Sequence, residues 1–445
     1  MRTRTESDLL GSMDIPADVL YGIQTHRAVE NFPPAGQRRL GDYPVMVRAL
    51  LAVKQAAASA NRDAGFLEAR IADAIIDSCA KALDSSLPAL FPIAALHGGG
   101  GTSANMNANE VLANLAEESL GGQRGAYRIV HPNDHVNLNQ STNDVYPTAC
   151  HLAVLRQWAE LRPVLQKLAA AYSNKGQELE QIKRLARTCL QDAVSTTFAD
   201  YFGGQASFLL RAAERIGAAV EALYAVPLGG TIVGRVSDVP PEYLDRILPA
   251  LREAAGEPRC RRSDNLFDAA QHIDDMVHVS SVLDLCARGM IKLAKDLRLL
   301  GSGPEAGFGE IALPAVQPGS SIMPGKVNPV IPEYVIQLCF RVTGLHAACT
   351  AAVDHGELDL NIWESLVVFS ILDSMELLAA AARTLDARCV TGLTADAERN
   401  ARHADSLIPR LTELMHTHGY SKISELCKRH RGDPAALRQA LDQEL

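Results

Sequence analysis

Residues 319 to 330 read GSSIMPGKVNPV and carry Ser320, Ser321, Lys326 and Asn328 among Gly319, Pro324, Gly325 and Pro329. Glycine and proline at that density exclude a stable helix or strand. Two hydroxyls, a cation and an amide are therefore presented on a loop, where binding and catalytic groups concentrate. Two further stretches offer neutral donors. HGGGGTSANMNANE, at 97 to 110, has four successive glycines followed by Thr102, Ser103, Asn105, Asn107 and Asn109; NQSTNDVYPT places Ser141, Thr142, Asn143 and Asp144 at a helix start. Taken singly, each is explained by a turn and an N-capped helix. The stretch RTCLQDAVSTT, at 187 to 197, sets Thr188, Gln191 and Asp192 between two helical runs and says little alone. Together these segments suit a small molecule with more than one carboxylate, which takes N–H and O–H donors and one or two cations without needing a metal. The glycine run is no dinucleotide fingerprint, because it lacks a preceding strand and the G-x-G-x-x-G spacing.

The elements that must position these groups are mostly helical. Alanine and leucine dominate and aromatic residues are 5% of the chain, which favours a mainly α fold. Leu155, Trp158, Leu161, Leu165 and Leu168 recur at helical spacing, and Met276, Val277, Val282, Leu283 and Met290 suggest a second long apolar face. Helices of that kind pack into bundles, and surplus apolar surface implies oligomer contacts. Three domains are expected: an N-terminal domain over 1–138 with short helices and Gly/Asn-rich turns, a central helical bundle over 139–390, and a small C-terminal helical domain over 391–445. Residues 301 to 329 hold six glycines and five prolines, so they form a long loop of the kind that is functional or disordered. Pro332 fits the first turn of the helix that follows.

The formal charge of −9, with no basic block longer than KRHR at 428 to 431, argues against nucleic acid or an anionic membrane as partner. The N-terminus lacks the apolar run of a signal peptide and no eighteen consecutive residues are apolar, so a cytoplasmic chain is expected. Nine cysteines without a C-x-x-C pair suit reduced, mostly buried thiols better than disulfides or structural zinc.

The segment GSSIMPGKVNP resembles the signature G-S-x-x-M-x-x-K-x-N of the aspartase/fumarase superfamily, matched at Gly319, Ser320, Met323, Lys326 and Asn328. The likeness extends from IPADVLYGIQTHRAVENFP through GGGGTSANMNANEVLANLA, HPNDHVNLNQSTNDVYPTA and RTCLQDAV to SGPEAGFGEIALP, and its wording is closest to the aspartate ammonia-lyases. The resemblance implies a three-domain fold with a long central helix bundle, and a homotetramer with a twenty-helix core whose active sites are each shared by three subunits. It implies no cofactor and no metal. By motif position, Ser320 resembles the catalytic base, acting with Lys326 and Asn328 on a loop that closes over a succinyl substrate. Thr102, Ser141, Thr142 and Ser321 resemble the ligands of the carboxylate beside the deprotonated carbon. Thr188, Lys326 and Asn328 would hold the other carboxylate, and Asn143 and Cys189 would lie near the leaving group. The expected activity is elimination of ammonia or an amine from aspartate or an N-substituted succinyl substrate to give fumarate, through an enediolate. The alternatives are a fumarate hydratase-type lyase and an inactive structural protein on the same fold.

The pattern is broken in places. Cys189 stands where the family carries histidine or glutamine, and a thiol is a smaller body and a poorer donor, leaving room for a different or larger leaving group, a neutral replacement or a reactive thiol. Glu305 replaces a usual arginine, His97 precedes the glycines where glutamine is common, Ser365 follows NIWE where proline is expected, and HTHGY is shorter than N-P-H-x-G-Y. For Glu305, a re-paired surface salt bridge is the plain alternative.

Overall fold

A computed structural model describes residues 2–444. The chain is mainly helical and forms two compact units. One comprises the chain up to Leu161 with Arg215–Asp284 and Arg341–Glu376; the other comprises Arg162–Glu214, Leu285–Phe340 and the residues from Leu377 onward.

The longest helices are Thr142–Glu178, Asp274–Leu300, Val330–Val353, Phe198–Val220 and Glu364–Leu385. Their 3.6-residue spacing is realised as burial: Leu161, Leu165 and Leu168 are fully buried, as are Leu283 and Met290. Pro332 lies in the first turn of Val330–Val353, where its missing N–H costs nothing. This helix and Glu364–Val390 are long and apolar enough by composition to cross a membrane, although the sequence has no continuous apolar run of that length. Glu364–Val390 is largely buried within the chain, as a core helix is.

The N-terminal region is more regular than its turn-rich sequence suggests. It opens on an antiparallel hairpin, Thr3–Asp8 with Gly11–Pro16, and contains the helices Pro44–Asp63, Ala69–Leu83 and Thr102–Ser119. The alanine-rich Pro44–Asp63 helix starts on proline and buries most of its length. At the other end of the chain, Ile423, Leu426, Leu437, Ala440 and Leu441 make a small core of their own, against which Leu407, Leu411, Leu414 and Met415 pack.

The stretch placed between two helical runs is itself a hairpin. Lys183–Thr188 pairs with Gln191–Thr197, and Cys189 and Leu190 form its two-residue turn with φ of 52° and 61°. Two consecutive left-handed residues are the geometry that matches strand twist, but asparagine and glycine are the usual occupants. A cysteine and a leucine hold it here at a steric cost.

Candidate active site

In the first unit the two donor-rich helix starts adjoin. Gly99, Gly100 and Gly101 all have left-handed φ and lead into Thr102–Ser119. A Cβ on Gly101 would come within 2.3 Å of the Tyr146 ring, so glycine is required both for backbone conformation and for close approach. Thr102 is exposed, and its Oγ1 donates to the Gly99 carbonyl at 2.8 Å.

Ser141 caps the Thr142–Glu178 helix reciprocally. Its Oγ accepts from the Asn143 N–H at 3.2 Å while Asp144 Oδ1 accepts from the Ser141 N–H at 3.0 Å. The other Asp144 oxygen takes the N–H groups of Gly229 and Thr231. Ser141, Thr142 and Asn143 are partly exposed. The Asn143 amide donates to the Ile232 carbonyl at 2.8 Å, and Thr142 Oγ1 accepts from Asn105 Nδ2 at 3.0 Å.

The asparagines of NMNANE are not free donors for an anion. Asn105, Asn107 and Asn109 are buried: Asn107 donates to the Leu90 carbonyl, while Asn105 and Asn109 both donate to Asn137 Oδ1. The same Asn137 oxygen accepts from Lys54 Nζ at 3.0 Å, and Lys54 also reaches Gln140 Oε1 at 2.9 Å. Lys54 is wholly buried, and desolvation pushes its pKa down to about 7 against the opposing pull of Asp144. Sequence reading missed Lys54; the signal was a lone lysine amid the apolar face of Pro44–Asp63. Through Asn105 this polar network reaches Thr142 Oγ1 and fixes where that hydroxyl stands.

Two of the departures from the family pattern meet around Tyr146. Its hydroxyl shares a 2.9 Å hydrogen bond with Ser365 Oγ, and its ring stands T-shaped to that of His97 with 6.2 Å between centroids. Ser365 therefore satisfies a buried phenol that proline could not reach. His97 Nδ1 lies 3.0 Å from the carbonyls of Ala94 and Ala95, so it carries the ring proton, and burial lowers the imidazole's pKa.

Beside Ser365, burial pushes the Glu364 carboxyl up from 4.5 to about 8. Ionisation is free in the unfolded chain above 4.5 but opposed in the folded one until about 8, so Glu364 costs nothing at low pH and progressively more as pH rises through that window. Glu364→Gln, which mimics the neutral acid, is expected to melt with the parent near pH ~4 and several degrees above it near pH ~8.5. A melting difference that stays constant with pH would contradict this.

In the second unit the signature loop has a defined base. The Gly319 N–H donates to the Lys326 carbonyl at 2.8 Å, and Asn328 Nδ2 donates to the Gly319 carbonyl at 2.7 Å. A Cβ on Gly319 would fall 2.5 Å from the Asn328 nitrogen, which explains the glycine. Ser320 is partly buried, and its Oγ accepts the N–H groups of Ile322 at 3.2 Å and Met323 at 3.0 Å. Ser321 and the Lys326 side chain are exposed, as are the apolar Ile322, Met323 and Val327. Lys326 and Asn328 line a cavity of about 660 Å³ with Arg298, Glu333 and Arg399. Thr188 and Cys189 do not line it; they sit exposed at the hairpin tip.

All nine cysteines are free, and Cys189 is the exposed one. Glu305 is also exposed and makes no ion pair among the described residues.

A family model described as "Lyase" matches residues 11–344. The chain is 42% identical over 426 residues to an aspartate ammonia-lyase from Pseudomonas fluorescens, an alignment covering 96% of this chain and 89% of the relative. It is 39% identical over 440 residues to a class II fumarate hydratase from Methylorubrum extorquens, covering 99% and 92%. The crystal structure of a fumarate lyase:delta crystallin from Brucella melitensis bound to cobalt superposes with a TM-score of 0.93 at 42% identity, covering 99% of this chain and 98% of that one. With the signature loop, the helical fold and these similarities agreeing over nearly its whole length, the chain belongs to the lyase family of the aspartase/fumarase superfamily.

Proposed function

We propose that the protein eliminates ammonia or an amine from aspartate or an aspartate-like, N-substituted succinyl substrate to give fumarate. The observation that carries this reading is the signature loop, in which Ser320 Oγ already receives two backbone N–H groups while Lys326 and Asn328 close the loop around it. Donors aimed at a hydroxyl oxygen favour its alkoxide, the form needed to take a proton from carbon. On an exposed loop they are worth little, and closure that expels water makes them worth more.

Deprotonation beside a carboxylate places a second negative charge on it, giving an enediolate. The hydroxyls of Thr102, Ser141, Thr142 and Ser321 are the donors proposed for that charge, held in place before it develops. Thr188, Lys326 and Asn328 hold the distal carboxylate, and Asn143 and Cys189 flank the departing nitrogen. The assembly proposed is a homotetramer in which each site draws on three subunits. Apolar side chains left exposed on the long helices, Leu210, Leu285, Leu299, Tyr334 and Phe340 among them, support such contacts. The three-domain division at 138 and 390 is part of the same reading, supported by the separate small core around Leu426.

Cys189 tunes this site toward a leaving group other than ammonia. The thiol offers a poor donor and a smaller body than glutamine or histidine, on a tip that is already exposed. Following fumarate absorbance in the addition direction, methylamine, hydroxylamine or a larger amine is expected to add about tenfold faster than ammonia, with Cys189→Gln reversing the preference. Equal preference in both proteins would make Cys189 a neutral replacement. Addition of water alone would make the enzyme a hydratase.

A further inference from the structure

The cluster that joins the Thr188–Cys189 hairpin to the C-terminal helices is built around one buried carboxylate. Glu310 is fully buried, and its Oε1 receives Arg187 Nη2 at 2.5 Å and His403 Nδ1 at 2.8 Å, while Oε2 is buried without a partner among the described residues. Both side-chain donors thus converge on one oxygen. A buried carboxylate with so few partners depends strongly on each.

Arg187 immediately precedes Thr188, and its guanidinium also lies 4.3 Å from the Phe308 ring centroid. The hairpin register shifts between Leu185 and Arg187, so the tip is a locally irregular ladder ending in two left-handed residues. Its position depends on where Arg187 is held. The segment leading to the signature loop is tied down at the same point. The Glu310 carbonyl accepts Asn400 Nδ2 at 2.6 Å and the Asp396 N–H at 3.1 Å, Arg399 donates to the Pro304 carbonyl at 2.6 Å, and Ile311 and Ala312 pair with Ala395 and Thr394. Asn400 and Arg399 grip backbone, whereas His403, on the same Ala397–Ala404 helix, reaches the Glu310 side chain.

We infer that His403 is a positioning residue: through the Glu310 carboxylate it orients Arg187, and with it the hairpin tip that meets the substrate. This rests on the proposed roles of Thr188 and Cys189. With the His403 N–H gone, the carboxylate is free to rotate toward its unpartnered oxygen and Arg187 follows it. A displaced tip weakens the hold on the distal carboxylate in ground state and transition state alike, which raises KM more than it lowers kcat.

The test uses the full-length protein with His403→Leu and His403→Asn, the amide of asparagine replacing the Nδ1 donor. Steady-state fumarate formation and amide hydrogen exchange of residues 183–197 are both measured. In His403→Leu, KM is expected to rise about tenfold with kcat within about threefold, and exchange at the hairpin tip to accelerate; His403→Asn is expected to restore both. His403→Met serves if the leucine protein does not fold. Unchanged KM and exchange in the leucine protein, or equal impairment in leucine and asparagine proteins, would overturn the inference. If the parent enzyme processes no succinyl substrate, the functional reading fails separately, and the exchange of the hairpin alone decides the role of His403.

Discussion

Ser320→Ala is expected to lower kcat for fumarate formation by roughly 10⁴-fold, the upper range for loss of a general base. No other group on the loop replaces the hydroxyl. Ser321, its neighbour, is exposed, and the N–H groups of Ile322 and Met323 converge on Ser320 Oγ. Alanine keeps the backbone compatible with the loop, whose base is closed by Gly319, Lys326 and Asn328 rather than by the serine side chain. Substrate affinity, measured by equilibrium binding of succinate as an unreactive dicarboxylate, is expected to change less than about threefold, because the role proposed for Ser320 is on carbon and not on either carboxylate. A variant that retains a tenth or more of the parent's kcat would remove Ser320 from the chemistry and with it the proposed mechanism.

Lys326→Met is expected to lower kcat/KM by about 10² to 10³-fold, as when one preorganised electrostatic contact is removed. The substitution is informative because the loop uses the lysine backbone and not its side chain. The Lys326 carbonyl accepts the Gly319 N–H, and its own N–H donates to the Met323 carbonyl. Methionine preserves both and most of the apolar stem, leaving the cation as the difference. Asn328 differs: its side chain holds the Gly319 carbonyl, so Asn328→Ala alters the loop as well as the site. If Lys326→Met keeps activity within threefold while Asn328→Ala loses it, loop shape and not the lysine charge carries the effect.

The same loop shows what a sequence can reveal. Glycines and prolines mark residues 319 to 329 as irregular whatever surrounds them, and the hydroxyl, cation and amide are the chemistry of carboxylates on inspection. Helix faces were legible for a comparable reason. The buried series Leu161, Leu165 and Leu168 is written in a period that depends on backbone geometry alone. Asn105, Asn107 and Asn109 were misleading because an amide has the same donors whether it faces a ligand or a neighbouring helix. Their burial against Leu90 and Asn137 settled which.

By itself, then, the sequence determined the helical class, the signature loop and the kinds of groups it offers, since each depends on residues within a few positions of one another. Tertiary structure alone decided the rest. The turn at Cys189 and Leu190 carries no asparagine or glycine to announce it, Lys54 reads as one more lysine until it is found buried against Asn137 and Gln140, and Arg187, Glu310 and His403 are drawn together from three separate segments. Local propensity acts over a few residues, whereas desolvation compels buried charges to find partners wherever the packed chain happens to bring them.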